Sequence, residues 1–397
     1  MNERLQSIDF LRGIAILGVL AIHSPHDAPG GFRENPWFFP SLICDYGYLG
    51  VHLFVILSGF CIHRSFAVSV QRSGDSKRTW TQFWKRRFWR LYPPYIIAII
   101  FSIVVASTWR NYELSNESFS WDLALHLTLT HHLTNFGTSM GNGAFWSLGM
   151  EEQLYLAYIP LLFLLKRMST TTIIATVLSI SVTWRLLTMD LQPIDLGPFS
   201  LCNWHFWPMF FLLHWTLGAL ALENHIGIRP LPGWTRSIKI ATITMAVGML
   251  LNANLLSLIE RSNQSNLLPL VHQPIHQSIL HLLGELCVAL GLFCTVNWML
   301  QRESQPTSIH QIFKPIASLG RMSYSVYLVH IPLIYLLTAR IELPPTGAGW
   351  PIRIVLFSGI SIVGGCLFHF GVERWFLCGR APRIRLRPER SPQVVST

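Results

Sequence analysis

Charge is what this sequence has least of. Asp, Glu, Lys and Arg make up 13% of its 397 residues, where a water-soluble domain carries about 25%. That leaves too little polar surface to coat a body of this size in water. Lipid is the alternative solvent, and there the backbone satisfies itself as helices or as a closed barrel. The roughly ten-residue alternation of barrel strands is missing as well. Long unbroken apolar runs stand in its place, as over residues 95–107 and 238–259, and they read as helices. No C-x-x-C pair occurs among the seven cysteines, so neither a zinc ribbon nor a disulfide framework is indicated, and no metal is expected. A single pairing of Cys44 with Cys202 stays open. A cleavable leader is not expected, because the first apolar stretch holds Asp9 and Arg12 and offers no small-residue cleavage site.

The hydrophobic runs predict an all-α integral membrane protein of about ten transmembrane helices. They cover 8–22, 49–66, 91–108, 145–165, 172–189, 206–222, 238–259, 275–300, 322–338 and 352–372, each near the length that crosses about 30 Å of hydrocarbon. Residues 1–375 form one membrane-embedded domain. Residues 376–397, basic and proline-containing, read as a disordered tail. The net charge of +10 is no argument for a nucleic-acid partner, since cations gather in the cytoplasmic loops of membrane proteins. With the N-terminus inside, the inner segments collect Arg4, the cations of 72–90, Lys166, Arg167, Arg229, Arg236, Lys239, Arg302, Lys314, Arg321 and the tail arginines. The outer loops receive only Arg33, Arg110, Arg261, Arg340 and Arg353. Both termini are therefore placed in the cytoplasm.

Charges inside the apolar runs are costly and usually face a functional interior. Arg12 and His23 are separated by eleven positions, which returns to nearly the same helix face about 16 Å further along the axis. Asp9 precedes them on that face. Spacing alone leaves a second reading open, in which Arg12 snorkels to an interface, paired with Asp9. Arg87 and Arg90, one turn apart, either anchor the topology or offer bidentate donors to an anionic cofactor. Glu151 and Glu152 enter the fourth span from its outer side, where a carboxylate either serves the helix dipole or orients an imidazole such as His23. His330, with Tyr327 on its face, reads as a lining residue. His126, His131 and His132 lack a convincing metal-ligand spacing.

Five ordered stretches resemble the acyltransferase-3 family of bacterial integral-membrane O-acyltransferases. IDFLRGIAILGVLAIH matches its Arg, ten residues, His pattern at Arg12 and His23. YLGVHLFVILSGF is similar to its second segment at Gly50, Val51, Phe54, Ser58, Gly59 and Phe60. RRFWRLYPPY matches Arg-x-x-Arg followed by Tyr-Pro at Arg87, Arg90, Tyr92 and Pro93. WSLGMEEQLY matches Trp-Ser-Leu-x-x-Glu from Trp146 to Glu151, with Leu154 where Phe is usual, and MSYSVYLVHIPL matches the late element at Ser323, Tyr324, Tyr327, His330 and Pro332. Some members add a further helix and an extracytoplasmic hydrolase-like domain, which is not expected here.

The resemblance implies a multi-pass protein of the cytoplasmic membrane that moves an acyl group from cytosolic acyl-CoA, acetyl-CoA in the first place, to a hydroxyl of a cell-surface or lipid-linked glycan. A small secondary metabolite is the alternative acceptor. It further implies that Arg87 and Arg90, with Arg64, hold the CoA phosphates and that the pantetheine arm passes Arg12. His23 acts as general base or nucleophile, with Glu151 or Glu152 orienting it. Ser58, Tyr327, His330 and Trp146 line the acceptor pocket. A polytopic transporter is the rival from another class, although neither inverted repeats nor broken helices are legible.

Overall fold

The computed structural model describes residues 5–24, 44–73, 76–109, 117–137, 139–251, 274–303, 309–341 and 349–377. Among the described residues, twelve α-helices of eleven residues or more make up most of the structure. They are α1 (Gln6–His23), α2 (Leu49–Ser73), α3 (Ser76–Trp109), α4 (Glu117–Leu127), α5 (Trp146–Arg167), α6 (Thr170–Thr188), α7 (Pro208–His225), α8 (Ile238–Leu251), α9 (Pro274–Gln301), α10 (Ile309–Arg321), α11 (Ser323–Thr338) and α12 (Gly349–Phe368). Eight helical stretches are long and apolar enough to span a bilayer. All ten expected spans are helical; the two whose helices fall short of that length are α8 and α11. For α8 the expected residues 252–259 lie outside the described residues, as do 378–397 of the expected tail.

Three elements depart from the expectation. Helix α3 begins fifteen residues early and runs for 34 residues, about 51 Å, so its first half projects beyond the hydrocarbon. The cations of that half had read as a loop, whereas they ride on a helix. Helix α10 carries polar and apolar residues on opposite faces and was not expected at all. Helix α4 with the turn after it, Glu117–Leu133, folds back as an outer cap, and Tyr95 donates to the carbonyl of His126 at 3.1 Å. A short hairpin, β1 (Ile194–Asp195) against β2 (Ser200–Leu201), joins this cap. Asn135 donates to Ser200 and Cys202 to Leu133 across the junction. Cys44 and Cys202 remain free thiols.

Glycines set the closest helix crossings, since small residues let backbones meet where lipid supplies no hydrophobic drive. A side chain on Gly59 would collide with the Trp215 carbonyl, and one on Gly218 with the Ile56 carbonyl. This reciprocal pair locks α2 onto α7. Gly13 and Gly320 do the same for α1 and α10, against the carbonyls of Ile316 and Asp9. The two crossings hold α1 and α2, which carry Arg12, His23 and Ser58, in fixed register with the rest of the bundle.

Candidate active site

Proline chemistry positions one wall of the site. Pro332 lies inside α11 and has no N–H, so the carbonyl of Leu328, four residues earlier, loses its helical partner. Asn142 fills the vacancy: its side-chain amide donates to Leu328 O at 2.9 Å, and its own oxygen accepts from the Ala144 backbone at 3.2 Å. Leaving a buried carbonyl unpaired would cost about 1–3 kcal/mol. The repair also pins the start of α5 against α11. There the Tyr327 hydroxyl donates to the Ala144 carbonyl at 2.8 Å and accepts from Ser147 at 2.6 Å. On α3, Pro93 and Pro94 sit inside the helix, and just before them the Leu91 carbonyl accepts from Tyr324 of α11 at 2.9 Å.

These ties enclose a cavity of ≈ 90 Å³. Its walls bring together residues from all five stretches singled out in the sequence: Arg12, Ser58, Arg87 with Arg90, Glu151, and Tyr324 with Tyr327. Three guanidiniums against one carboxylate make the cavity cationic. Glu151 accepts hydrogen bonds from Ser58 and Tyr155, and Ser58 accepts in turn from the Trp215 indole at 3.3 Å. The Arg87 guanidinium lies over the Tyr155 ring, 5.3 Å from its centroid. Glu152 instead lines a smaller adjoining recess with Tyr92, Tyr95 and Tyr324.

Just past Tyr327 stands a pair of imidazoles. His330 Nδ1 lies 2.7 Å from the Tyr327 carbonyl, and its Nε2 lies 3.2 Å from His23 Nδ1. His23 Nδ1 is also 2.9 Å from the Val19 carbonyl. One tautomer assignment satisfies every contact. His330 donates from Nδ1 to Tyr327, which leaves its Nε2 as an acceptor. The single Nδ1 hydrogen of His23 is then shared between the Val19 carbonyl and His330 Nε2. The network holds the His23 ring by its Nδ1 side.

The carboxylates were expected to orient His23; Glu151 is held by Ser58 and Tyr155, and His330 Nε2 lies against His23 Nδ1. Arg64 does not line the cavity; its charge acts on His225, at the inner end of α7. Trp146, in the first turn of α5, stacks on Phe206 at 4.1 Å and is not among the residues that line the cavity. Glu373, unexpected from the sequence, lies in a widened π stretch over His369–Glu373 that continues α12. It accepts from Ser325 at 2.6 Å and from His369 at 2.7 Å, and its charge acts on Arg90. π turns recur at functional sites, and an acidic residue one position beyond an apolar run was the available signal. In the outer cap, burial holds His132 near 4, so it is neutral at pH 7.

Eight membrane-length helices build the bundle that holds this basic cavity, with the imidazole pair beside it. The family model described as an acyltransferase domain (acyltransferase 3) matches residues 5–370, and the chain belongs to that family. A peptidoglycan O-acetyltransferase, OatA of Listeria monocytogenes, is 26% identical over 167 residues, 40% of this chain and 24% of the relative. A regulator of hypoxia-inducible factor 1 from Caenorhabditis elegans is 28% identical over 204 residues, 44% of this chain and 38% of the relative. The matched part thus spans well under half the length of either relative. No solved structure matches.

Proposed function

We propose that the enzyme transfers an acetyl group from cytosolic acetyl-CoA to a hydroxyl of a cell-surface or lipid-linked glycan. The observation that carries this reading is the single cavity joining Arg12, Arg87 and Arg90 to Tyr327, with His330 and His23 directly beyond. Arg87 and Arg90 stand where α3 enters the membrane from the cation-rich face, and guanidinium forks suit phosphate. Arg12 and His23 lie about 16 Å apart along α1. A thioester carbonyl held by Arg12 would be out of reach of His23, so Arg12 serves the amides of the extended pantetheine arm. The thioester then lies near Tyr327 and His23. The acceptor class follows from the printed name of the Listeria relative, a peptidoglycan O-acetyltransferase.

The chemical step balances with these groups alone. The acceptor hydroxyl gives its proton to His23 Nε2 as its oxygen bonds to the thioester carbon. The carbon–sulfur bond breaks, and the departing CoA sulfur recovers the proton from the imidazolium. His330 Nε2 accepts the His23 Nδ1 hydrogen throughout, fixing the ring. It plays the part that a carboxylate plays in hydrolase triads, without placing another charge in the membrane.

The arrangement has sides, and sidedness tests it. In proteoliposomes of known orientation, acetyl-CoA should be consumed only from the face bearing Lys314 and Arg321, and acetyl ester should appear on the opposite face. Consumption from the face of the β1–β2 hairpin would overturn the proposed donor path.

A further inference from the structure

A second cluster of buried polar groups lies between α2, α7 and α9, outside the cavity and unused by the proposed chemistry. It comprises His52, His214 and Glu285, all buried in the bundle. His52 Nε2 lies 2.7 Å from Glu285 Oε2. The rings of His52 and His214 are 5.1 Å apart between centroids, at 64°. One ligand atom from each of the three residues lies within 4.8 Å of the others. The independent observation concerns His214. It is 1% exposed, and neither of its ring nitrogens has a hydrogen-bond partner among the described residues. A buried polar group without a partner is disfavoured by roughly 1–3 kcal/mol in proteins, and native interiors rarely keep one.

We propose that His52, His214 and Glu285 form a binding site for a divalent transition-metal ion of the zinc class, fastening α2, α7 and α9 together. Two imidazoles and one carboxylate are the donor set of zinc and its neighbours, whereas calcium and magnesium take oxygen. The outer partner that such ligands require is already present. His52 Nδ1 faces the Tyr48 carbonyl at 3.3 Å, which leaves Nε2 as the ligating atom and fixes the ring. The metal would displace the proton lying between His52 Nε2 and Glu285 Oε2, and that proton passes to solvent. Ligand atoms around a tetrahedral zinc stand about 3.4 Å apart, given bonds of about 2.1 Å. The close pair must therefore open slightly and the His214 ring turn inward.

Arg185 is the competing group, because its guanidinium reaches Glu285 Oε2 at 4.0 Å. That contact is long for an ion pair. The same guanidinium is already stacked 3.5 Å from the Phe210 centroid, so Arg185 leaves the carboxylate free to ligate. No sequence spacing could have revealed this site, since its three members come from helices far apart in the chain.

The test is metal content, read without any assay of turnover. Purified protein in nanodiscs is stripped with chelator, loaded with Zn²⁺ or Co²⁺, freed of excess metal and analysed by mass spectrometry. The expected result is about one metal per chain, visible d–d bands of low-symmetry Co²⁺, and a melting temperature raised by Zn²⁺. His214→Ala should weaken loading about tenfold or more while remaining monodisperse. Wild-type protein that holds no more metal than a buffer blank overturns the site, whether or not the variant folds. Equal loading of wild type, His214→Ala and Glu285→Gln overturns it as well.

Discussion

His23→Ala should lower turnover by about 10²- to 10⁴-fold, the range that a positioned general base contributes, while leaving the KM for acyl-CoA nearly unchanged. The two constants separate because the groups that make them are apart. His23 ends α1 beyond Tyr327, and the arginines proposed to bind the donor line the cavity, which His23 does not. The side chain is only half-buried, so its removal leaves no large void in the core. The partner variant sharpens the result. His330→Ala removes the acceptor for the His23 Nδ1 hydrogen and lets the ring turn, but Val19 O still holds it at 2.9 Å. Turnover should then fall by a smaller factor than in His23→Ala. A His23→Ala enzyme that keeps wild-type turnover removes the histidine from the chemistry.

The second large effect concerns the donor. Arg87→Gln with Arg90→Gln should raise the KM for acyl-CoA by about 100-fold or more, at about 1.5–3 kcal/mol for each charge-assisted contact, and leave the acceptor KM nearly constant. Both arginines line the cavity, and their neighbours explain why Gln is a poor substitute. The Arg87 cation stacks on Tyr155, itself one turn from Glu151 on α5, and the charges of Arg87, Arg12 and Glu373 all act on Arg90. A neutral amide keeps some hydrogen bonding and loses the attraction for phosphate. Raising the salt concentration should weaken wild-type donor binding and affect the double variant far less. If both KM values move together, the pair serves the fold and the phosphate assignment is wrong.

Much of this was readable in the chain. Helices were legible because lipid forces them and because apolar runs are long. Arg12, Arg87, Arg90 and Glu151 were legible because ionised groups stand out at the edges of such runs, and all four line one cavity. The contact between His23 and His330 was not legible, because a nearby carboxylate and a nearby histidine satisfy the same rule. The role of Asn142 was hidden for a similar reason. It answers a carbonyl freed by Pro332, 190 residues later, and nothing local to Asn142 signals that. Helix α10 was missed because its apolar residues cover one face only, so no continuous run appears in the sequence.

The central claim is that this cavity moves an acetyl group from CoA to a hydroxyl. Its most direct test gives purified wild-type protein in nanodiscs radiolabelled acetyl-CoA together with a glycan-bearing membrane extract. The expected result is release of free CoA with label appearing as an alkali-labile ester on the extract. Acetyl-CoA that neither binds to the protein nor is consumed would contradict the account.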